Sequence, residues 1–261
     1  MIILKNVSKS YGKTSVLGNV SFRIDPKEFV CITGPSGAGK STLMHLMVGA
    51  DIASKGIVSV DGVDLRLLTP TIIQLYRRRI GVAFQDYKLL WNNTVYENIA
   101  FPLEINGVSD EQIHKRVTQV LKEMELTKQK NTPAKALSGG EKARTTIARA
   151  YVHAPLILFA DEPTGNLDPM QSNEVLELLR HIHKKGTTIV LATHEVDIVD
   201  ALQTRVIRLE NGNIIRDSVG GYERETRKKI PEPKKGMHDI FESDEDDIKE
   251  IGRKVKITSI G

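Results

Sequence analysis

The run Gly34-Pro35-Ser36-Gly37-Ala38-Gly39-Lys40-Ser41 has the residue types and spacing that a polyphosphate requires. Glycines let the backbone wrap so that successive N–H groups point inward, and a helix starting at the end of the loop adds partial positive charge. Lys40 is placed to bridge the β- and γ-phosphates, and the Ser41 hydroxyl to ligate Mg²⁺, with Thr42 completing the contact set. The bland alternative is a glycine-rich turn with a chance lysine. Against it stands the setting: Phe29 to Thr33 is an apolar strand leading in, and Leu43, Leu46 and Met47 have helical spacing leading out. The motif speaks for nucleotide binding and leaves the reaction open.

Two further segments bear on the reaction. Leu156-Ile-Leu-Phe-Ala ends in Asp161-Glu162, a buried-strand pattern that delivers a carboxylate to a sheet edge, where Asp161 can hold Mg²⁺ through its water shell. Glu162 is then the candidate general base for in-line attack of water on a γ-phosphate. A helix-terminal acid is the competing reading of Glu162. In Leu137-Ser138-Gly139-Gly140-Glu141, Ser138 and Glu141 form a capping box, and exposed amides of Gly139 and Gly140 beside the Ser138 hydroxyl make a second anion site. One chain thus carries two devices for one kind of ligand. The second is naturally used on ATP held by another copy.

The elements that must position these residues follow from periodicity. Val16, Val20, Phe22 and Ile24, with Gly56 to Val60, suggest an antiparallel β layer in the first sixty residues. Helical spacing dominates from about Tyr87 to Lys142, where Ser109 and Gln112 suggest a capping box ahead of Ile113, Val117, Val120, Leu121 and Met124. An inserted helical subdomain is expected there. Strands at Leu156 to Ala160 and Thr187 to Ala192 flank a helix bearing Val175, Leu178, Leu179 and Ile182, which is a βαβ unit of a parallel sheet. Arg205 to Leu209 and Asn213 to Arg216, joined at Asn211-Gly212, read as a hairpin. The expected domain spans 1–221, followed by a charged, flexible extension over 222–261.

The phosphate loop, Leu137 to Glu141 and Asp161-Glu162 together resemble the ABC ATPase family over about residues 1 to 220. The resemblance implies an α/β P-loop NTPase with a mixed RecA-like sheet core, an N-terminal antiparallel β subdomain and an inserted helical subdomain. Phe84 to Leu90, Thr94 to Glu104 and Ala160 to Asp168 are most similar to the cell-division ATPases of that family, with lipoprotein-release and macrolide-export ATPases as close relatives. By resemblance, Tyr11 stacks on adenine, Gln85 senses Mg²⁺ and the attacking water, His194 contacts the γ-phosphate, and Asp168 belongs to the loop that couples the two sites of a dimer. Expected cofactors are ATP and Mg²⁺, and expected partners a second copy and a permease-like membrane protein. Lys142-Ala143-Arg144 departs from the two glutamines and arginine usual after this signature, which leaves the anion-binding backbone untouched.

Composition narrows the class. The 261 residues are 40% hydrophobic, and 37 basic against 33 acidic side chains leave a net charge of +4, too mild to argue for nucleic acid, and none is expected as a partner. The longest apolar runs are strand-length, well below the roughly 18 residues that span a bilayer. The N-terminus reads as a strand and not as a secretion signal. Together with the membrane partner that the resemblance implies, this leads to the expectation of a peripheral position on the cytoplasmic face of the membrane, docked through Gln85 and an exposed Leu89-Leu90-Trp91 stretch. The single cysteine, Cys31, lies in an apolar strand and is expected to be a buried, inert thiol.

Overall fold

The computed structural model describes residues 1–221, so the expected extension over 222–261 lies outside the described residues. The elements run β1 (Ile2–Tyr11), β2 (Thr14–Ile24), β3 (Phe29–Thr33), α1 (Lys40–Met47), β4 (Lys55–Val60), β5 (Val63–Asp64), α2 (Pro70–Arg77) and β6 (Ile80–Ala83). Then come α3 (Val95–Ile105), α4 (Asp110–Glu123), α5 (Gly139–Tyr151), β7 (Ile157–Asp161), α6 (Pro169–Lys184), β8 (Thr188–Thr193), α7 (Val196–Leu202), β9 (Arg205–Glu210) and β10 (Asn213–Val219). One sheet has the order β2-β1-β4-β5 and is antiparallel; the other has the order β10-β9-β3-β8-β7-β6 and is parallel except for the β9–β10 hairpin.

The central strands are buried on both faces, which is why they read as continuous apolar runs. Alternate side chains enter different cores. Val30, Ile32, Phe159, Val190 and Ala192 join Leu43, Leu46 and Met47 of α1 and Ile2, Leu4 and Val20 of the antiparallel sheet. Cys31, Leu158, Ala160, Ile189 and Leu191 face the other way, onto α3 to α7. Burial pushes the Cys31 thiol up to about 11, so it is inert as expected.

Several local expectations need correction. Val16 is not on the core face with Val20 and Phe22: Leu17 is buried instead, because Asn19 takes a left-handed φ of 55° and the β1–β2 register shifts there. Leu156 is 56% exposed, and the strand starts at Ile157 and includes Asp161. Likewise β8 runs one residue later than expected, from Thr188 to Thr193. Ser109 occupies the N-cap of α4 but makes no side-chain capping bond; acidic Asp110 and Glu111 in the first turn provide the favourable end charge. A capping box not foreseen lies at Thr94 and Glu97, at the start of α3. The Leu89-Leu90-Trp91 stretch is not uniformly exposed either. Leu89 is a core residue, and only Trp91 is open, at 46%.

Helix α5 lies directly on β6. A Cβ built at Gly81 would sit 2.1 Å from the Ala150 carbonyl oxygen, so the glycine is what permits the helix to approach the strand. Gly81→Ala is expected to destabilise the fold by about 3 kcal/mol, since a methyl against backbone cannot be relieved by a rotamer change. A urea melt with an unshifted midpoint would contradict this account of the contact.

Candidate active site

Parallel register brings the ends of three strands together. Thr33 of β3 pairs with Thr193 of β8, and Asp161 of β7 pairs with Ala192 of β8. The phosphate loop, the Asp161-Glu162 pair and His194 therefore leave the sheet side by side, at the carboxyl edge where open α/β sheets place their ligands. They line a cavity of about 350 Å³ whose wall is Val16, Ser36, Gly37, Gly39, Lys40, Ser41, Thr42, Gln85, Glu162 and His194.

The loop depends on two close approaches. Gly34, with φ 147°, lies where a Cβ would meet the Leu209 carbonyl oxygen at 2.2 Å, and Gly39, with φ 103°, lies against the Val16 carbonyl and the Leu17 side chain. Between them, Pro35 accepts from the Ala38 amide at 3.1 Å, closing the turn. Lys40, the first residue of α1, is buried; its Nζ donates to the Gly34 and Pro35 carbonyls at 2.9 and 3.2 Å and lies 3.4 Å from Glu162 Oε1. Phosphate oxygens are stronger acceptors for this ammonium than neutral carbonyls.

Glu162 is 7% exposed and has a left-handed φ of 47°, an uncommon conformation for a residue with a side chain. Its amide donates to the Ala192 carbonyl at 2.9 Å, and its Oε2 lies 2.8 Å from His194 Nδ1. His194 is itself open to solvent, with 57% of its side chain accessible. Next to it, Glu195 accepts from the Thr164 hydroxyl at 2.5 Å and so ties the segment after Glu162 to the segment after His194. Burial raises the Asp161 carboxyl above the usual carboxylate range, against an opposing hydrogen bond from Ser41. Asp161 Oδ1 is buried without a hydrogen-bond partner. A bare carboxylate oxygen beside a serine hydroxyl is a hard oxygen donor set suited to Mg²⁺. Mg²⁺ held by one or two protein oxygens would take its remaining ligands from phosphate and water.

The other expected residues are placed as follows. Gln85, just beyond β6, reaches the cavity wall. Tyr11 is outside that wall, 48% exposed at the end of β1, and donates its hydroxyl to Asp51 at 2.5 Å while Lys9 Nζ sits 4.7 Å from its ring centroid. The hydrogen bond to Asp51 raises the Tyr11 pKa and keeps the phenol neutral. Asp168 is also outside the cavity and caps α6 by accepting from the Gln171 amide at 2.8 Å. Ser138, Gly139 and Gly140 are absent from the cavity wall. They begin α5, where Glu141 accepts from the Ser138 amide and hydroxyl at 2.8 and 2.9 Å and Ser138 accepts from the Glu141 amide. Gly140 is buried beneath Gln171, so of the two glycines expected to present open amides, Gly139 alone is partly exposed.

Some of the site was not foreseen. Val16 forms part of the cavity wall, and Lys9 with Asp51 fixes Tyr11. No sequence signal marked Val16, whose position follows from the irregularity at Asn19. Lys142, one of the residues that departs from the usual signature, lies over the Trp91 ring at 5.8 Å, and Arg144 pairs with Glu174 at 2.6 Å.

The ABC transporter family profile matches residues 17–165. The cell division ATP-binding protein FtsE of Streptococcus pneumoniae is 46% identical over 222 residues, covering 85% of this chain and 96% of that protein. FtsE of Mycobacterium tuberculosis is 42% identical over 223 residues, covering 85% and 97%. An ATP-binding cassette solved as a dimer in a post-hydrolysis state with ADP and Pi is similar in structure, with a TM-score of 0.77 and 34% identity over 84% of this chain and 98% of that one.

The hydrogen bonds from Ser138, the backbone amide first, hold the Glu141 carboxyl below the usual glutamate range. A depressed carboxylate contributes stability above its unfolded pKa and loses it as pH falls through the lower folded value. Glu141→Ala should therefore cost about 1 kcal/mol at pH 7 and progressively less below about pH 4. Denaturant titrations at both ends of that range measure the difference, and a cost independent of pH would contradict it.

Proposed function

Because the chain belongs to the ABC transporter family, we propose that it is the ATP-binding and ATP-hydrolysing subunit of a cell-division complex of the FtsE type. Two copies close on two ATP molecules, each held between the phosphate loop of one copy and the Ser138-Gly139-Gly140 segment of the other. The observation that carries this reading is an unfinished cleft. The cavity wall holds the phosphate loop, Glu162 and His194, while the capped, glycine-bearing helix start at Ser138 lies outside it. That a similar cassette is dimeric with ADP and Pi bound supports the pairing of two copies.

In this mechanism Lys40 and the loop amides hold the β- and γ-phosphates. The water oxygen attacks the γ-phosphorus in line, its proton passes to Glu162, and the bond to the β,γ-bridging oxygen breaks to leave ADP. His194, bonded to Glu162, keeps that carboxylate aimed and reaches the γ-phosphate with its free face. Ser41 and Asp161 would hold Mg²⁺, which neutralises phosphate charge. Tyr11, steadied by Asp51, offers its ring to the adenine, and Asp168 carries the α6 start toward the partner copy. Closure and reopening are the mechanical output.

No helix among the described residues is long and apolar enough to cross a membrane. The motion is received by an integral membrane partner, a permease-like protein of the FtsX type, and the chain works peripherally at the cytoplasmic face. The output by this reading is activation of peptidoglycan hydrolases outside the cell. Trp91, exposed beside the Gln85 segment, is the apolar contact for that partner.

Glu162→Gln should bind ATP and dimerise in size-exclusion chromatography while hydrolysis falls by at least about 100-fold. Turnover within a few-fold of wild type would remove Glu162 from the base role. ATP-independent monomers would remove the shared sites.

A further inference from the structure

Helix α5 joins two functional surfaces. Its start carries Ser138 and Gly139. Toward its end Arg149 donates from Nη1 to the Lys88 carbonyl at 2.6 Å and from Nη2 to the Tyr87 carbonyl at 2.7 Å. One turn earlier, Thr146 Oγ1 reaches the same Tyr87 carbonyl at 3.4 Å. These carbonyls belong to the loop that starts with Gln85 on the cavity wall.

That loop has to be held. Tyr87 and Lys88 both take left-handed dihedrals, with φ 59° and 48°, and consecutive non-glycine residues stay there only when their surroundings fix them. Their amides are consumed in the turn itself, Tyr87 on the Phe84 carbonyl at 3.0 Å and Lys88 on the Asp86 carbonyl at 2.6 Å. Their carbonyls are consumed by Arg149. Burial lowers the Arg149 pKa, and among the described residues its bonds go to main-chain oxygens, so the planar fork serves backbone geometry.

The helix is also seated firmly near both ends. Ala150 lies on Gly81 of β6, the strand that leads to Gln85, while Gly139 and Gly140 lie against Leu167 and Gln171 at the start of α6. A body held this closely transmits a displacement better than it absorbs one.

We propose that Arg149 is a positioning residue that ties the α5 start, which meets the partner's nucleotide, to Gln85 in the chain's own cleft. Phosphate captured at Ser138 and Gly139 in one composite site thereby biases the geometry of Gln85 in the other. The coupling is reciprocal, because each site's occupancy shifts the other through the same helix. This inference rests on the two-copy reading above. Arg149 is absent from the cavity wall and acts on the reaction only through the loop.

The test uses the full chain with Mg²⁺ and ATP, measuring kcat, KM and the Hill coefficient, with a fluorescent ATP analogue reporting binding. Arg149→Gln should lower kcat about tenfold and bring a Hill coefficient above about 1.5 down to about 1, with analogue affinity within about twofold of wild type. Adding Lys88→Gly, which takes a left-handed φ without the clamp, should restore kcat at least about threefold. A wild-type Hill coefficient of about 1 overturns the proposal. So does an Arg149→Gln protein with unchanged kcat and cooperativity, or a loss that Lys88→Gly does not repair. If Arg149→Gln lacks a cooperative thermal transition, Arg149→Lys carries the test and should fall between the two; wild-type behaviour there also overturns the proposal. Should Glu162→Gln fail to dimerise with ATP, the two-copy reading fails first. If it dimerises and the Arg149 variants behave as wild type, only the clamp fails.

Discussion

The parallel register of β3, β8 and β7 is the constraint from which the rest of the site follows. Thr33 opposite Thr193, and Asp161 opposite Ala192, bring three chain segments to the carboxyl edge of the sheet within a residue of one another. The side chains that fix this register do no chemistry. Val30, Ile32, Phe159 and Val190 fill one core while Cys31, Leu158, Ala160 and Leu191 fill the other. A slip of one residue would exchange those faces and remove Lys40, Glu162 and His194 from each other's reach. Two-sided burial is therefore what gives the cleft its precision.

The cleft holds charge that the fold alone does not favour. Lys40, Asp161 and Glu162 are buried together, Asp161 is raised by burial, and its Oδ1 lacks a partner. Glu162 adds a left-handed backbone, which costs on the order of 1 kcal/mol. Large hydrophobic cores on both faces of the sheet tolerate these costs. Nucleotide and metal would relieve part of them, since phosphate gives Lys40 a better acceptor and a cation gives Asp161 Oδ1 a ligand role. Ligand binding and the relief of this buried charge are thus one event.

The sequence was informative where local chemistry determines local structure. Glycine spacing at Gly34 and Gly39 encodes dihedrals and close approaches that other residues cannot match, and Ser138 with Glu141 encodes its own helix start. It was less informative where a distant partner or a bulge decides. Val16 lost its core position to Leu17 because of one left-handed residue, Asn19, whose identity permits but does not require that conformation. Ser109 resembled a working cap and makes no capping bond, while Thr94 makes both bonds of a capping box. Leu89 read as exposed beside Trp91, but the turn at Tyr87 and Lys88 directs it into the core. Contacts such as Arg149 to Tyr87 and Glu195 to Thr164 join segments far apart in sequence, so no spacing rule reveals them.

The signature segment illustrates how one set of residues answers two requirements. Gly139 and Gly140 read as glycines that expose amides to an anion, yet in the folded chain a Cβ at either would crowd Leu167 or Gln171. Both residues belong to the segment around Asp168, itself the cap of α6. The absence of side chains therefore seats α5 against α6 as well as opening Gly139. Replacement of Gly139 disturbs both at once, whereas replacement of buried Gly140 bears on the α5–α6 contact, so loss of activity alone does not separate them. The separation lies in the neighbours: enlarging Leu167 stresses the α5–α6 contact and leaves the Gly139 amide chemically intact, whereas the anion site has no side chain to change except Ser138. A motif built from backbone is for this reason read reliably in a sequence and dissected only through what surrounds it.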